Sequence, residues 1–184
     1  SPCAPVAAWP RPSSSNESER APASAGLSES EPTAMPIEGE YEPSTWGWVA
    51  DQVERYEASG GTEANTLMDT GIPIIVMTTV GHKSGKVRKV PLMRVEHEGE
   101  YGIIASKGGN PTHPGWYYNL LARDHVTIQD GPEPKDYTIR QLEGEERNTW
   151  YARGEAVYPD YTAYQEAATG HGRVIPVFVA TPSA

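Results

Sequence analysis

The stretch IPIIVMTTVGHKSGKVRKVPLMRV, residues 72–95, determines the fold that we expect for this chain. Its first nine residues, 72–80, are rich in β-branched side chains, which favour a strand. Glycines at positions 81 and 85 predict a tight turn, and residues 87–95 return as a second strand. Two strands joined by a glycine turn predict the beginning of an antiparallel sheet.

The sequence on either side of residues 72–95 alternates between helical and strand-like patterns. Apolar residues at helical spacing predict a helix from about residue 44, with Ser44 as its cap and glycines at its end. We expect further strands at 101–106, 126–129, 137–142 and 174–180, and helices at 116–123, 143–157 and around 161–164. Six strands with helices between them predict an α+β fold built on a mostly antiparallel barrel.

The first part of the chain has a different composition from the rest. Residues 1–40 are dominated by Pro, Ser, Ala and Glu, which predicts a disordered N-terminal extension. Met35 is the first methionine, and we expect the segment before it to be dispensable. Residues 41–184 have a globular pattern and are expected to form a single domain, large enough to bury roughly two thirds of its surface.

Composition excludes several classes of function. The net charge of −10 argues against general binding to nucleic acid, which depends on Lys and Arg contacting phosphates. No apolar run is long enough to predict a transmembrane helix, and no secretory signal is recognisable. Cys3 is the single cysteine and the histidines lack metal-ligand spacing, so no metal site is expected, and a reducing cytoplasm fits.

Positive charge is concentrated in residues 81–94. This segment contains five of the fifteen Lys and Arg residues and no acidic one: Lys83, Lys86, Arg88, Lys89 and Arg94. Exposed backbone N–H groups of a glycine turn, together with these cations, predict a site for an anion. The spacing differs from that of a Walker phosphate loop. The alternative is a solvated hairpin whose charges discourage edge-to-edge pairing.

A second candidate site is ASKGGNPTHPGWYYNL, residues 105–120. A polar Ser-Lys pair follows a strand, and a glycine loop leads to a helix N-terminus, which favours anions. Trp116, Tyr117 and Leu120 are expected to pack beneath a planar ring. The alternative is a loop tied to the core by Trp116 and Leu120.

A third candidate site is YPDYTAY, residues 158–164. Tyr161 and Tyr164 share a helix face at i,i+3 spacing, and Tyr158 precedes a proline, which predicts an extended backbone. Their hydroxyls are candidate donors to a substrate. The alternative is an aromatic stripe of the core.

Taken together, these segments resemble a known family. TTVGHKSGKVRKVPL (78–92), IIASKGGNPTHPGWYYNLLA (103–122), YPDYTAYQ (158–165) and RVIPVFVATP (173–182) are similar in order and spacing to the deazaflavin-dependent nitroreductases of actinobacteria. The resemblance covers about residues 70–182 and implies a mostly antiparallel split β-barrel with peripheral helices, of the flavin-binding superfamily. It also implies coenzyme F-420, an 8-hydroxy-5-deazaflavin with a phosphodiester and an acidic oligoglutamate tail.

The resemblance also implies roles for individual residues. Lys83 and Arg88 would hold the phosphodiester, Ser84 would add a hydrogen bond, and Lys86 is a candidate for the acidic tail. Ser106 and Lys107 would meet the coenzyme near its ring or its phosphate. Pro114, Gly115 and Trp116 would shape the ring pocket, and Pro91 is a further candidate for coenzyme binding. Catalytic residues on the substrate side would be Tyr158, Tyr161 and Tyr164.

The implied activity is hydride transfer from reduced F-420 to a quinone, a nitroaromatic or another conjugated, electron-poor substrate that is small and apolar or aromatic. Met93 stands where some members carry an aromatic residue, and this departure bears on the substrate more than on the coenzyme. Two alternatives are an FMN-dependent oxidase or reductase of the same fold and a non-catalytic deazaflavin or lipid carrier. We expect a monomer or homodimer in the cytoplasm, with peripheral membrane contact as an option.

Overall fold

The structure is a computed structural model, and it describes residues 36–183 of the 184-residue chain. Its seven strands are β1 (Ile74–Val80), β2 (Val87–Met93), β3 (Glu96–His97), β4 (Glu100–Ile104), β5 (His125–Gln129), β6 (Pro134–Gln141) and β7 (Val177–Pro182). Its four α-helices are α1 (Gly47–Ala58), α2 (Gly115–Ala122), α3 (Gly144–Val157) and α4 (Asp160–Gly170), with a 3₁₀ turn at Lys107–Gly109. The strands form one curled antiparallel sheet in the order β2-β1-β5-β6-β7-β4-β3, which confirms the predicted α+β barrel with peripheral helices.

The predicted hairpin of residues 72–95 is confirmed. Strands β1 and β2 pair antiparallel from Ile74 opposite Met93 to Val80 opposite Val87. The first four side chains of β1, Ile74–Met77, are apolar on both faces because both faces are covered. Ile75 belongs to the core inside the barrel, whereas Ile74, on the other face, packs against α1.

The structure differs from the expected arrangement in several places. Helix α1 begins at Gly47 with Trp46 at its N-cap instead of the expected Ser44, and the last strand, expected from residue 174, begins at Val177. A seventh strand, β3, pairs with β4 through a turn in which Glu98 and Gly99 both have positive φ. Two polar residues are too short a strand to give a recognisable alternation, so the sequence predicted only six strands. The second strand, expected to reach residue 95, ends at Met93.

The end of the predicted N-terminal extension contacts the sheet. Residues 1–35, which carry most of that prediction, lie outside the described residues. The Ile37 amide donates to Thr127 Oγ1 at 3.0 Å, and the Val87 amide donates to the Glu40 carbonyl at 2.8 Å. Residues 40–42 therefore run parallel to the start of β2. Within the described residues, no helix combines the length and apolar character needed to cross a membrane.

Helices α3 and α4 cover a second core cluster on the outside of β4 and β7. Trp150 and Tyr151 of α3 and Tyr161 of α4 are buried in this cluster. The two helices follow each other with only Tyr158 and Pro159 between them. The predicted break at Pro159 is confirmed, and the tyrosine motif lies where α3 passes into α4.

Candidate active site

A cleft of about 780 Å³ brings the three sequence motifs together. Its volume lies within the range typical of sites for small molecules and cofactors. Ten of the predicted site residues line it: Lys83, Ser84, Arg88, Pro91, Ser106, Lys107, Pro114, Gly115, Trp116 and Tyr161. Three do not: Lys86, Tyr158 and Tyr164. The cleft therefore joins a basic turn, a helix start and a tyrosine.

The basic turn between β1 and β2 is held in place by Asn119 of α2. The side-chain oxygen of Asn119 accepts from the His82 amide at 2.9 Å and lies 2.8 Å from His82 Nδ1. Its amide nitrogen donates to Thr79 Oγ1 at 3.1 Å, and the side chain is buried. Gly85 adopts φ +70°, so the turn needs glycine there. Sequence reasoning missed Asn119, although a polar side chain in an otherwise apolar helix indicates a specific hydrogen-bonding role.

The cations of this turn are not equivalent. Lys83 is exposed and lines the cleft, and no residue from 36 to 183 forms an ion pair with it. Arg88 also lines the cleft, but its Nη1 lies 2.6 Å from Glu42 Oε2. Lys86 points to Glu40 at 3.3 Å, outside the cleft. Lys83 is thus the cation most available to an anionic ligand.

The remaining cations of the basic segment are paired with carboxylates. Lys89 lies 2.5 Å from Glu57 of α1. Arg94 donates through Nε to Asp130 at 2.7 Å, and Tyr101 donates to the same carboxylate oxygen at 2.7 Å. Arg94 does not line the cleft, and its contact with Asp130 stabilises the sheet instead.

The loop before α2 is organised by Arg173. This buried side chain donates from Nη1 to the carbonyls of Ser106 at 2.9 Å and Asn110 at 2.8 Å, and from Nη2 to the carbonyl of Ala105. Its Nε donates to His113 Nδ1 at 2.9 Å. Burial, with the Arg173 charge, lowers the pKa of His113, which favours the neutral ring that accepts this bond. Sequence reasoning missed Arg173, although it begins the RVIPVFVATP motif.

The same loop contains two unusual backbone positions. Lys107 adopts φ +46° without being glycine, and its Nζ donates to Thr112 Oγ1 at 2.9 Å. Strained conformations of this kind cluster at ligand sites. Gly109 adopts φ +75°, and a Cβ there would lie 2.5 Å from the carbonyl oxygen of Tyr164. Glycine at 109 thus lets the loop lie directly against α4.

Helix α2 presents its N-terminus to the cleft. Pro114, with φ −63° and ψ 151°, occupies the N-cap, and Gly115 and Trp116 follow as the first helical residues. Their N–H groups have no acceptors within the helix and favour negative charge. Trp116 also packs against the barrel core, as does the buried Leu120, so this segment both ties the loop to the core and lines the cleft.

The three tyrosines form one cluster but occupy different positions. Tyr161 is buried and lines the cleft, and its ring centroid lies 5.1 Å from that of Tyr158 and 6.1 Å from that of Tyr164. The hydroxyls of Tyr158 and Tyr164 are 3.0 Å apart. Burial raises the pKa of Tyr161, and the hydrogen bond with Tyr164 raises that of Tyr158. Both therefore keep their protons at neutral pH.

An apolar wall completes the cleft. Trp46 and Trp48, at the start of α1, line it and are strongly exposed. Leu92 and Met93 of β2 line it as well. Sequence analysis did not assign the tryptophans to a site, because helical spacing alone does not say which α1 residues face a cavity.

The donors of this cleft fit an anionic coenzyme with a planar ring. Lys83, which forms no ion pair among residues 36–183, favours a phosphodiester together with the serine hydroxyls and the N–H groups of a helix start. Trp116 and Pro114 offer flat apolar surface next to these donors.

Comparison with known proteins gives consistent matches. The family model described as F-420H(2)-dependent quinone reductase matches residues 48–182. An F-420H(2)-dependent quinone reductase of Mycobacterium tuberculosis H37Rv is 34% identical over 112 residues, which cover 59% of this chain and 73% of the relative. A putative F-420H(2)-dependent quinone reductase of Mycobacterium bovis matches to the same extent.

Two solved structures share the fold. An F-420-H2-dependent reductase, FDR-A, is 50% identical with a TM-score of 0.55, covering 59% of this chain and 94% of the other. A protein described as a domain-swapped dimer is 46% identical with a TM-score of 0.57, covering 75% of this chain and all of the other. The matches favour the deazaflavin reductase over the FMN enzyme and the carrier. The chain belongs to the F-420H(2)-dependent quinone reductase family, whose enzymes use reduced coenzyme F-420.

Proposed function

We propose that the cleft holds reduced F-420 beside a quinone or another conjugated, electron-poor acceptor, and that Tyr161 assists reduction of the acceptor. The observation that carries this proposal is the joining of Lys83 and the α2 start with Tyr161 and an apolar wall in a single cleft. Lys83 and the α2 start suit the coenzyme, whereas Tyr161 and the apolar wall suit the acceptor.

The phosphodiester of the coenzyme is assigned to the basic turn. Lys83 and Arg88 supply charge, and Ser84 supplies a hydroxyl on the same turn. Charge-assisted hydrogen bonds of this kind are stronger than neutral ones. Lys86 lies on this turn but outside the cleft, and we keep it as a candidate for the acidic tail.

The deazaflavin ring is assigned to the surface formed by the loop and the start of α2. The candidates that line it are Pro91, Ser106, Lys107, Pro114, Gly115 and Trp116. The reduced ring, when bound, supplies the hydride. Arg173 donates to the loop carbonyls of Ser106 and Asn110 and so supports this surface.

Tyr161 is assigned to the acceptor. Negative charge develops on an acceptor oxygen as the hydride arrives, and a preplaced hydroxyl donor stabilises it. Burial keeps the Tyr161 proton in place at neutral pH, so the group is ready to donate. Tyr158 and Tyr164, hydrogen-bonded to each other, both pack against its ring.

A small apolar or aromatic acceptor suits the rest of the cleft. Trp46 and Trp48 offer aromatic surface, and Met93 is flexible enough to adapt to differently shaped rings. This apolar wall favours a neutral ring such as a quinone, because a charged group placed against it would lose its hydration without gaining a partner.

Assembly and location are further proposals. The relative described as a domain-swapped dimer supports a homodimer as the alternative to a monomer. Sedimentation of the purified protein over a range of concentrations distinguishes the two. The cytoplasmic location expected from the sequence stays a prediction.

Titration tests the coenzyme assignment. We expect the protein to bind F-420 more tightly than FMN, because the acidic tail of F-420 gains more from the basic turn. Lys83→Ala should weaken F-420 binding by roughly 1.5–3 kcal/mol, the range for hydrogen bonds to charged groups. Lys135→Ala removes an exposed lysine of β6 away from the cleft and should leave affinity unchanged. Equal affinities for FMN and F-420, or equal effects of the two substitutions, would contradict the assignment.

A further inference from the structure

A carboxylate already contacts one of the two cations assigned to the coenzyme phosphodiester. The Nη1 of Arg88 donates to Glu42 Oε2 at 2.6 Å, and both side chains line the cleft. A phosphodiester held by Arg88 would need the same guanidinium donors. Glu42 and the coenzyme are therefore placed to compete for one group.

The backbone delivers Glu42 to this position. The Val87 amide donates to the Glu40 carbonyl at 2.8 Å, and the Glu42 amide donates to the Val87 carbonyl at 2.9 Å. Arg88 is the next residue of β2, so the parallel pairing places the two side chains next to each other. The position of Glu42 is thus a property of the fold and not of a freely moving tail.

The side-chain contact itself is open to exchange. The side chains of Arg88 and Glu42 are 35% and 43% exposed. Ion pairs this exposed are weak, and their partners are easily replaced by water or by another ion. A ligand anion can displace the carboxylate while the backbone pairing of residues 40–42 stays intact.

We propose that Glu42 is an affinity-determining residue, an internal carboxylate that competes with the coenzyme phosphodiester for Arg88. This inference rests on the proposed function of the cleft. A ligand that also engages Lys83 and the α2 start overcomes the competition, whereas an anion that engages Arg88 alone does not. Glu42 thereby lowers the affinity for the coenzyme and disfavours simple anions.

A neighbouring acidic residue provides a matched comparison. Glu38 lies on the same segment, is exposed and forms no ion pair within residues 36–183. Glu38→Gln therefore makes the same change in net charge as Glu42→Gln without freeing a cation. Glu40→Gln is not a neutral control, because Glu40 pairs with Lys86, the candidate for the acidic tail of the coenzyme.

Calorimetric titration of F-420 into the wild type and the Glu42→Gln and Glu38→Gln variants tests the proposal. We expect Glu42→Gln to bind about twofold to fivefold more tightly than Glu38→Gln, in keeping with the weakness of exposed ion pairs. The gain should shrink in high salt, which screens exposed charges. It should also vanish when Arg88→Ala is added, because the contested group is then gone.

Several results would overturn the proposal. If the wild type binds F-420 but Glu42→Gln binds no more tightly than Glu38→Gln, Glu42 does not compete. Weaker binding by Glu42→Gln would instead make Glu42 a positioning residue for Arg88. If the wild type and both variants fail to bind F-420, the proposed function fails and the competition fails with it.

Discussion

The hydroxyl oxygens of Tyr158 and Tyr164 lie 3.0 Å apart, so each tyrosine is a hydrogen-bond partner of the other. Tyr161 packs edge-on against both rings and is the member of the cluster that lines the cleft. This arrangement divides the roles within the motif YPDYTAY. The outer pair packs against the central residue, and only the central residue lines the cleft.

The first prediction concerns the Tyr161 hydroxyl. Tyr161→Phe keeps the ring and its packing but deletes the donor, so hydride transfer should slow by about tenfold or more, equivalent to roughly 1.4 kcal/mol. Affinity for F-420 should stay near that of the wild type. Single-turnover oxidation of bound, reduced coenzyme by a quinone measures the rate.

Tyr158→Phe and Tyr164→Phe are the comparison for this prediction. Each breaks the hydroxyl pair outside the cleft, and we expect a smaller loss of rate than for Tyr161→Phe. Rates equal to wild type in all three variants, with every acceptor tried, would make the tyrosines packing residues only.

The second prediction concerns alkaline pH. Burial raises the pKa of Tyr151 to about 12, whereas the unfolded chain has the ordinary value of about 10. The folded state therefore holds a proton that the unfolded chain releases. The resulting stability is fully present below pH 10 and is lost as the pH rises towards 12.

Urea unfolding between pH 8 and 11.5 checks this second prediction. The free energy of unfolding should fall above pH 10, with Tyr151 contributing on the order of 1–3 kcal/mol of the loss. Tyr151→Phe should flatten the curve, although it also removes the hydrogen bond to the Tyr161 carbonyl. Parallel curves for variant and wild type would refute the assignment.

The third prediction concerns Arg173. Arg173→Lys keeps the charge but loses the planar fork that bonds the carbonyls of Ser106 and Asn110. We expect the loop to loosen and F-420 affinity to fall by about tenfold, the size of one lost charge-assisted bond. Hydrogen exchange at the Gly109 and Asn110 amides should accelerate.

Arg123→Lys, at an exposed position after α2, is the control for the same substitution. It should change neither the affinity nor the exchange rates. Unchanged affinity in Arg173→Lys, despite faster exchange in the loop, would show that the loop does not hold the coenzyme.

The fourth prediction separates two effects at adjacent glycines. Gly108 and Gly109 both have positive φ, but a Cβ at 108 meets no atom within 4 Å, whereas one at 109 lies 2.5 Å from the Tyr164 carbonyl oxygen. Gly108→Ala should cost about 1–2 kcal/mol through backbone strain alone. Gly109→Ala should cost more, because α4 must also move. Equal losses of stability in thermal unfolding would mean that α4 moves away from a Cβ at position 109 at no cost in free energy.

The parts of the structure that sequence reasoning predicted are local. The β1–β2 hairpin is continuous in the chain, so strand residues and turn glycines fall within one window. The start of α2 is similar, because Pro114 and the following apolar residues are adjacent. The candidate residues of the cleft also came from short continuous motifs, whose meeting in space was implied by the family resemblance.

The parts that were missed depend on contacts distant in sequence. Glu42 reaches Arg88 from 46 positions away, and Arg173 reaches Ser106 from 67 positions away. Periodicity and composition carry no information about such pairs. Spacing placed Tyr161 and Tyr164 on one helix face, but it does not say which of them meets a cavity. That distinction depends on how α4 packs against the sheet.

Anaerobic rapid mixing of the protein, loaded with reduced F-420, against a soluble quinone tests whether the cleft carries out hydride transfer. We expect one quinone to be reduced for each coenzyme oxidised, faster than with free coenzyme. Lys83→Ala should lose this acceleration when coenzyme is limiting and regain it when coenzyme is in excess. A rate with the protein that equals the rate of free coenzyme would contradict the claim that this cleft carries out the reaction.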